Sequence, residues 1–110
     1  MDYAITFACY NQVDYTRQCI DSMQRAGTPL ERLVVVDNAS GDETLAYLRG
    51  LPLGKVIHNR DNLGCGVAWN QGALELQSEW TIIMNNDVLV SPQWVQGLIE
   101  SAARHQLDIV

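Results

Sequence analysis

Basic residues are scarce in this chain. Seven Lys and Arg stand against thirteen Asp and Glu, a formal net charge of −6. A nucleic-acid footprint needs a basic patch or stripe, so no nucleic-acid partner is expected. The same deficit gives an anionic phosphate little direct help; it would need a metal or backbone N–H groups instead. Cysteine is scarce too. Cys9, Cys19 and Cys65 are odd in number and lack metal-like spacing. They are expected to be reduced, semi-buried packing residues of a cytoplasmic protein. No apolar run approaches the length of a transmembrane segment. The start, Met1-Asp2 followed by Tyr3 to Ala8, has neither a basic n-region nor a cleavage site, so no signal peptide is expected there. No Gly-x-x-x-x-Gly-Lys-Ser/Thr run exists, which removes a P-loop. Internal repeats, low-complexity stretches and linkers are also missing.

What is present is an alternation of two periodicities in a chain long enough for one domain, residues 1–110. Tyr3 to Cys9 is rich in β-branched and aromatic types and predicts a strand. Val13 to Ala26 places Cys19, Ile20, Met23 and Ala26 at helical spacing, with Asp14 in the first turn and Gly27 as the stop. The run Leu33 to Val36 predicts a strand buried on both faces, as in a parallel sheet. Ser40-Gly41-Asp42-Glu43 has the form of a capping box for a helix running to about Arg49. Lys55 to His58 predicts a short strand, and Cys65 or Gly66 to Leu76 a helix whose Gly66, Ala68 and Gly72 permit close backbone approach. Trp80 to Met84 predicts a fourth strand. Ser91-Pro92 has the form of a helix start, for a helix that ends near His105. Leu107 to Val110 has the pattern of a fifth strand that the chain does not complete. The alternation defines an α/β protein with a mostly parallel sheet and right-handed crossovers. An unfinished apolar edge suggests the front part of a longer protein and a surface for self-association as a homo-oligomer.

Each expected strand ends in polar residues: Tyr10 and Asn11, Asp37 and Asn38, Asn59 to Asn62, and Asn85 to Asp87. In a parallel sheet these ends share one side, where open α/β sheets bind ligands. The implied ligand is polar and nucleotide-like. Asp37 can accept from a base N–H or a ribose hydroxyl, and Asp87 can hold a divalent metal. Gly64-Cys65-Gly66 begins like a dinucleotide fingerprint, but Trp69 stands at the third glycine position and the motif follows the third strand. A receiver domain would want an acidic cluster after the first strand, where Tyr10-Asn11 stands. His58 and His105 are better explained as a strand-end residue and a helix C-terminal residue. Trp80 and Trp94 are expected to be core or interface anchors.

In chain order, Cys9-Tyr10-Asn11, the stretch Val36 to Thr44, Asn59 to Gly64 with Asn70-Gln71-Gly72, and Asn85-Asn86-Asp87-Val88 closely resemble the family 2 glycosyltransferases of the GT-A fold. The rhamnosyltransferase-like branch is the most similar. The resemblance covers essentially the whole chain. It implies a three-layer α/β/α, Rossmann-like nucleotide-diphospho-sugar transferase fold in truncated form. It also implies a nucleotide-diphosphate-sugar donor, Mg²⁺ or Mn²⁺, and transfer with inversion to a sugar or lipid-linked acceptor. The expected setting is cell-surface polysaccharide biosynthesis in the cytoplasm, at the inner face of the membrane. Carried over by position, Tyr10 and Asn11 line the nucleoside site, and Asp37 contacts the base. Asn62 and Gly64 close over base and ribose, Asn70 lies near the donor, and Asn86 stands in the Asp-x-Asp slot. Asp87, the last acid of that slot, is the metal ligand. Asn85 replaces the first Asp of that motif, and Trp69 stands where many members have Arg. The family's general base and acceptor site lie in a C-terminal half, so no residue of this chain is named as the base and the chain alone is expected to be catalytically incomplete. A non-catalytic nucleotide-binding or assembly module with the same fold is the alternative.

Overall fold

The computed structural model describes residues 2–110; of the domain expected over 1–110, Met1 lies outside the described residues. Four strands form one parallel sheet in the order β3-β2-β1-β4, with β1 at Tyr3–Cys9, β2 at Leu33–Asn38, β3 at Lys55–Asn59 and β4 at Trp80–Ile83. The helices between and after them are α1 (Val13–Arg25), α2 (Thr44–Arg49), α3 (Cys65–Glu75) and α4 (Trp94–Arg104).

Alternation along the strands separates the two faces of the sheet. Ile5, Phe7, Leu33 and Val35 point to one face, where they meet Cys19, Ile20 and Met23 of α1, Leu48 of α2 and Val95 of α4. The other face carries Thr6, which meets α3 at Gly72. A Cβ on Gly72 would collide with the Thr6 side chain, so only glycine lets α3 sit this low on β1. The Thr6 hydroxyl, buried beneath it, donates to the Val34 carbonyl at 2.8 Å. Three layers result, as the resemblance implies. Gly66, by contrast, has open space around its Cα, so the close approach expected there is confined to Gly72.

The first helix ends as its glycine predicts. Gly27 has φ 79, the Thr28 N–H reaches back to Met23 O at 2.9 Å and the Gly27 N–H to Gln24 O at 3.0 Å, a Schellman closure. Three other expectations are corrected. The Ser40/Glu43 capping box does not form: the Ser40 hydroxyl instead accepts the Asn11 N–H at 2.8 Å, and Asp42 accepts the Thr44 N–H at 2.9 Å and the Thr44 hydroxyl. Those two bonds hold the Asp42 carboxyl below its usual pKa. Ser91-Pro92 lies in a turn, and α4 begins only at Trp94, after Gln93 in the left-handed region at φ 64. A tertiary tie fixes that start, the Trp94 indole N–H donating to the Thr28 hydroxyl at 2.9 Å. Leu107 to Val110 is not a strand. Gln106, at φ 54, closes α4 with its own Schellman pair, and the segment then lies beside β4 without pairing to it. There Ile83 and Ile109 remain exposed on the open edge, the surface on which the expected self-association would rest.

Candidate functional site at the carboxyl edge of the sheet

The carboxyl ends of β1, β2 and β4 and the loop before α3 border one cleft of about 500 Å³. It is lined by Tyr10, Gln12 and Tyr15, by Asn38, Asn62, Gly64 and Cys65, and by Asn86 and Asp87. This is the ligand edge of a parallel α/β sheet. Backbone strain collects along it: Asn11, Gln12 and Ala39 have φ of 53, 56 and 67, and Gly64 has φ 85. Non-glycine residues held there cost on the order of 1 kcal/mol each and persist where neighbours over-determine them.

Five of the expected site residues are brought together on the cleft wall: Tyr10, Asn62, Gly64, Asn86 and Asp87. Tyr10 is half exposed at the end of β1. Asn62 receives the Gly64 N–H at 3.0 Å, which shapes the turn into α3. Asn86 donates to the Thr16 hydroxyl of α1 at 3.1 Å, and further on the Val90 N–H donates to Ser22 at 3.1 Å. These two ties set the Asn86–Asp87 turn against α1 and leave the Asp87 carboxylate exposed.

The other three stand apart from the wall. Asn11 works between loops: its side-chain oxygen accepts the Gly41 N–H at 2.7 Å, so the β1–α1 and β2–α2 connections are latched together. Asn70 is exposed on α3, outside the cleft lining. Asp37 is fully buried. Its carboxylate lies 2.9 Å from His58 Nδ1 and accepts the Ser40 N–H at 3.3 Å. No partner for Asp37 is evident from the sequence; the structure supplies a hydrogen-bonded one in His58. The parallel register places Asp37 and His58 side by side on one face, a pairing that only strand alignment reveals. His58 is thus more than a strand-end residue.

One position along, the same register aligns Asn38 with Asn59 on the opposite face, towards α3. Asn59 donates to Asn38 at 2.9 Å and to Gln71 at 2.8 Å, and Gln71 donates back to Asn59 at 3.0 Å. Asn38 in turn donates to the Gly64 carbonyl at 3.2 Å. Sequence reasoning placed Asn38 and Asn59 at strand ends but did not join them to Gln71.

The cysteines divide. Cys9 and Cys19 are buried, and burial pushes their thiols up to about 12 and about 11, which removes them as nucleophiles near neutral pH. Cys65, expected to be a packing residue, is exposed on the cleft wall. Among the described residues no group of three or more His, Cys, Asp or Glu gathers to hold a metal. Asp87 is the one acidic residue of the cleft lining, which contains no Lys or Arg.

The fold defines the class. S. aureus TarS 1-349 superposes with a TM-score of 0.80 at 22% identity, over 96% of this chain and 33% of that one. The mannosyltransferase PcManGT from Pyrobaculum calidifontis, solved with GDP-Man and Mn²⁺, superposes at 0.79 with 21% identity, over 92% of this chain and 32% of that one. The architecture is therefore the GT-A type of nucleotide-diphospho-sugar transferase. The family model for glycosyl transferase family 2 matches residues 5–110, and the chain belongs to that family. Its curated relatives include the succinoglycan biosynthesis protein ExoO of Rhizobium meliloti (strain 1021), 32% identical over 104 residues, which are 92% of this chain and 30% of ExoO. The chain thus spans about a third of the length of the relatives it matches.

Proposed function

We propose that this chain is the donor-binding part of a glycosyltransferase and holds a nucleoside-diphosphate sugar in the cleft at the carboxyl edge of its sheet. One observation carries the reading. The cleft gathers Tyr10, Asn62, Gly64, Asn86 and Asp87 on its wall, yet offers a diphosphate no basic side chain. A ligand with two phosphates needs counter-charge there, and the exposed Asp87 carboxylate is the group able to hold a divalent cation. One carboxylate alone makes a weak metal site, so the diphosphate oxygens would complete the coordination of Mg²⁺ or Mn²⁺. When bound, the cation neutralises charge on the leaving diphosphate.

The residues of the chain supply the rest. Tyr10 offers an aromatic face to the base or ribose. Asn62 and Gly64 form the opposite wall, and the N-terminus of α3 begins beside them with no side-chain cap. Asn86 holds the Asp87 turn, and Asn11 orders the loops at the mouth. Asp37, buried against His58 and Ser40, reaches a base only if the Ser40 loop shifts; Asn70 serves the donor only from the outer face of α3. Transfer with inversion to a sugar or lipid-linked acceptor, with the base supplied from outside this chain, completes the proposal. PcManGT in complex with GDP-Man and Mn²⁺ supports both donor and metal, TarS 1-349 in complex with UDP-GlcNAc supports the donor, and the name of ExoO supports polysaccharide biosynthesis. No helix among the described residues is long and apolar enough to cross a membrane. We place the protein in the cytoplasm at the inner face of the membrane; the unpaired cysteines fit the reducing compartment.

The second reading is a non-catalytic nucleotide-binding or assembly module with the same fold, which would share the cleft and differ in turnover. Calorimetric titration with UDP and GDP, with and without Mn²⁺, tests the binding that both readings share. The wild-type chain is expected to bind one of them more tightly with Mn²⁺, and Asp87→Ala to lose that gain. Binding that ignores both Mn²⁺ and the substitution contradicts the metal role of Asp87. Transfer from a sugar nucleotide by this chain would rule out the second reading and the outside base together.

A further inference from the structure

The Asn62–Gly64 wall has no regular structure, yet it is not free. Its carbonyl at Gly64 accepts from Asn38, and the Leu63 N–H points at the same Asn38 side chain at 3.5 Å. Asn38 can serve both only in one amide orientation, with its oxygen towards Leu63 and its nitrogen towards Gly64. That orientation is matched from behind. Asn59 presents a nitrogen, not an oxygen, to Asn38 Oδ1, and closes a reciprocal pair of bonds with Gln71 in the same orientation. Asn38 and Asn59 are buried, and no buried side-chain polar atom among the described residues lacks a partner. Three side chains from β2, β3 and α3 therefore form one directional relay that ends on the cleft wall.

We infer that Asn59 and Gln71, which do not touch the cleft, are positioning residues for donor binding: through Asn38 they hold the Asn62–Gly64 wall in its ligand-ready shape. The direction of each bond makes the inference sharp. Asp at position 59 has the same shape but no donor, so it faces Asn38 Oδ1 with a second acceptor. Asn38 can answer only by turning its amide, which withdraws the donor from Gly64 O. Glu at position 71 keeps the acceptor for Asn59 but replaces the return bond with an oxygen facing Asn59 Oδ1, one step further from the wall, so its effect is smaller and of the same kind.

Two readouts test this on N59D, Q71E and a distant control, W94F, which removes the indole bond to Thr28 at the opposite edge of the sheet. The first is hydrogen exchange at the Leu63 and Gly64 amides, which needs no ligand. N59D is expected to exchange there about tenfold faster, Q71E severalfold faster, and W94F at the wild-type rate at those amides. The second is calorimetric affinity for UDP and GDP with Mn²⁺, which rests on the donor-binding reading. Affinity is expected to fall about tenfold in N59D, roughly the equivalent of one or two lost hydrogen bonds, and less in Q71E. It should hold in W94F even where its melting temperature falls as far. Wild-type exchange at Leu63 and Gly64 in both relay variants would overturn the inference, as would equal affinity losses in W94F and N59D. If N59D does not fold, Q71E decides by the same two readouts. If the wild-type chain binds neither nucleotide, the donor reading falls, while the exchange result still judges the relay.

Discussion

On one side of the cleft, the Asn62 to Gly64 backbone is held by buried Asn38 of β2, which Asn59 of β3 and Gln71 of α3 back in turn. On the other side, the Asn86–Asp87 turn is held against α1 by the bonds to Thr16 and Ser22, and its carboxylate stands in solvent. The first wall spends its polar groups on itself. The second leaves a charge unspent. A buried polar network that is fully satisfied rigidifies the segment it holds. An exposed carboxylate with no burial to overcome is free to take a cation. On the donor-binding proposal the two walls divide the work between shape and charge, and substitutions should separate them.

The largest effect is expected at Gly72. Its position under α3 seats the helix on Thr6, and Gln71 beside it belongs to the relay. Gly72→Ala should cost about 2–3 kcal/mol by overpacking, a fall of roughly 10 °C or more in melting temperature for a domain of this size. It should also loosen the amide-held wall, seen as faster exchange at Leu63. A variant of wild-type stability would mean that α3 does not sit as described. A smaller effect, confined to the other wall, is expected of Thr16→Val. The substitution keeps the shape of a fully buried side chain and removes the acceptor for Asn86, at a cost of about 1 kcal/mol. Metal-dependent nucleotide affinity should weaken, and exchange at Leu63 should stay as it is. If Thr16→Val disturbs Leu63 as strongly as Gly72→Ala, the two walls are one cooperative unit and the division fails.

Much of this arrangement is legible in the chain because parallel sheets impose simple patterns. Leu-Val-Val-Val at Leu33 to Val36 announces a strand buried on both faces, and Asn85-Asn86-Asp87 announces the polar end of another. Gly27 terminates α1 for a local reason, and local reasons can be read. The misread positions depend on distant partners. Ser40 has the form of a cap but bonds Asn11, and Asp42 takes its place at the helix. Ser91-Pro92 has the form of a helix start, but Trp94 is anchored to Thr28 and the helix waits for it. Leu107 to Val110 has strand composition, but it leaves the α4 closure at Gln106 beside β4 without pairing to it. Asp37 with His58, and Asn59 with Gln71, needed the register of β2 on β3 and the docking of α3, which no local pattern specifies.

The central claim is that a nucleoside diphosphate occupies this cleft with a cation on Asp87, and Cys65 reports on it directly. Cys65 is the one exposed thiol, on the cleft wall, while Cys9 and Cys19 are buried with their thiols held protonated. Alkylation of the native chain near pH 8 should therefore modify Cys65 alone. Its rate should fall severalfold when UDP or GDP is added with Mn²⁺, and the Mn²⁺-dependent part of that protection should vanish in Asp87→Ala. Alkylation of Cys65 at an unchanged rate under saturating nucleotide and Mn²⁺ would contradict the account.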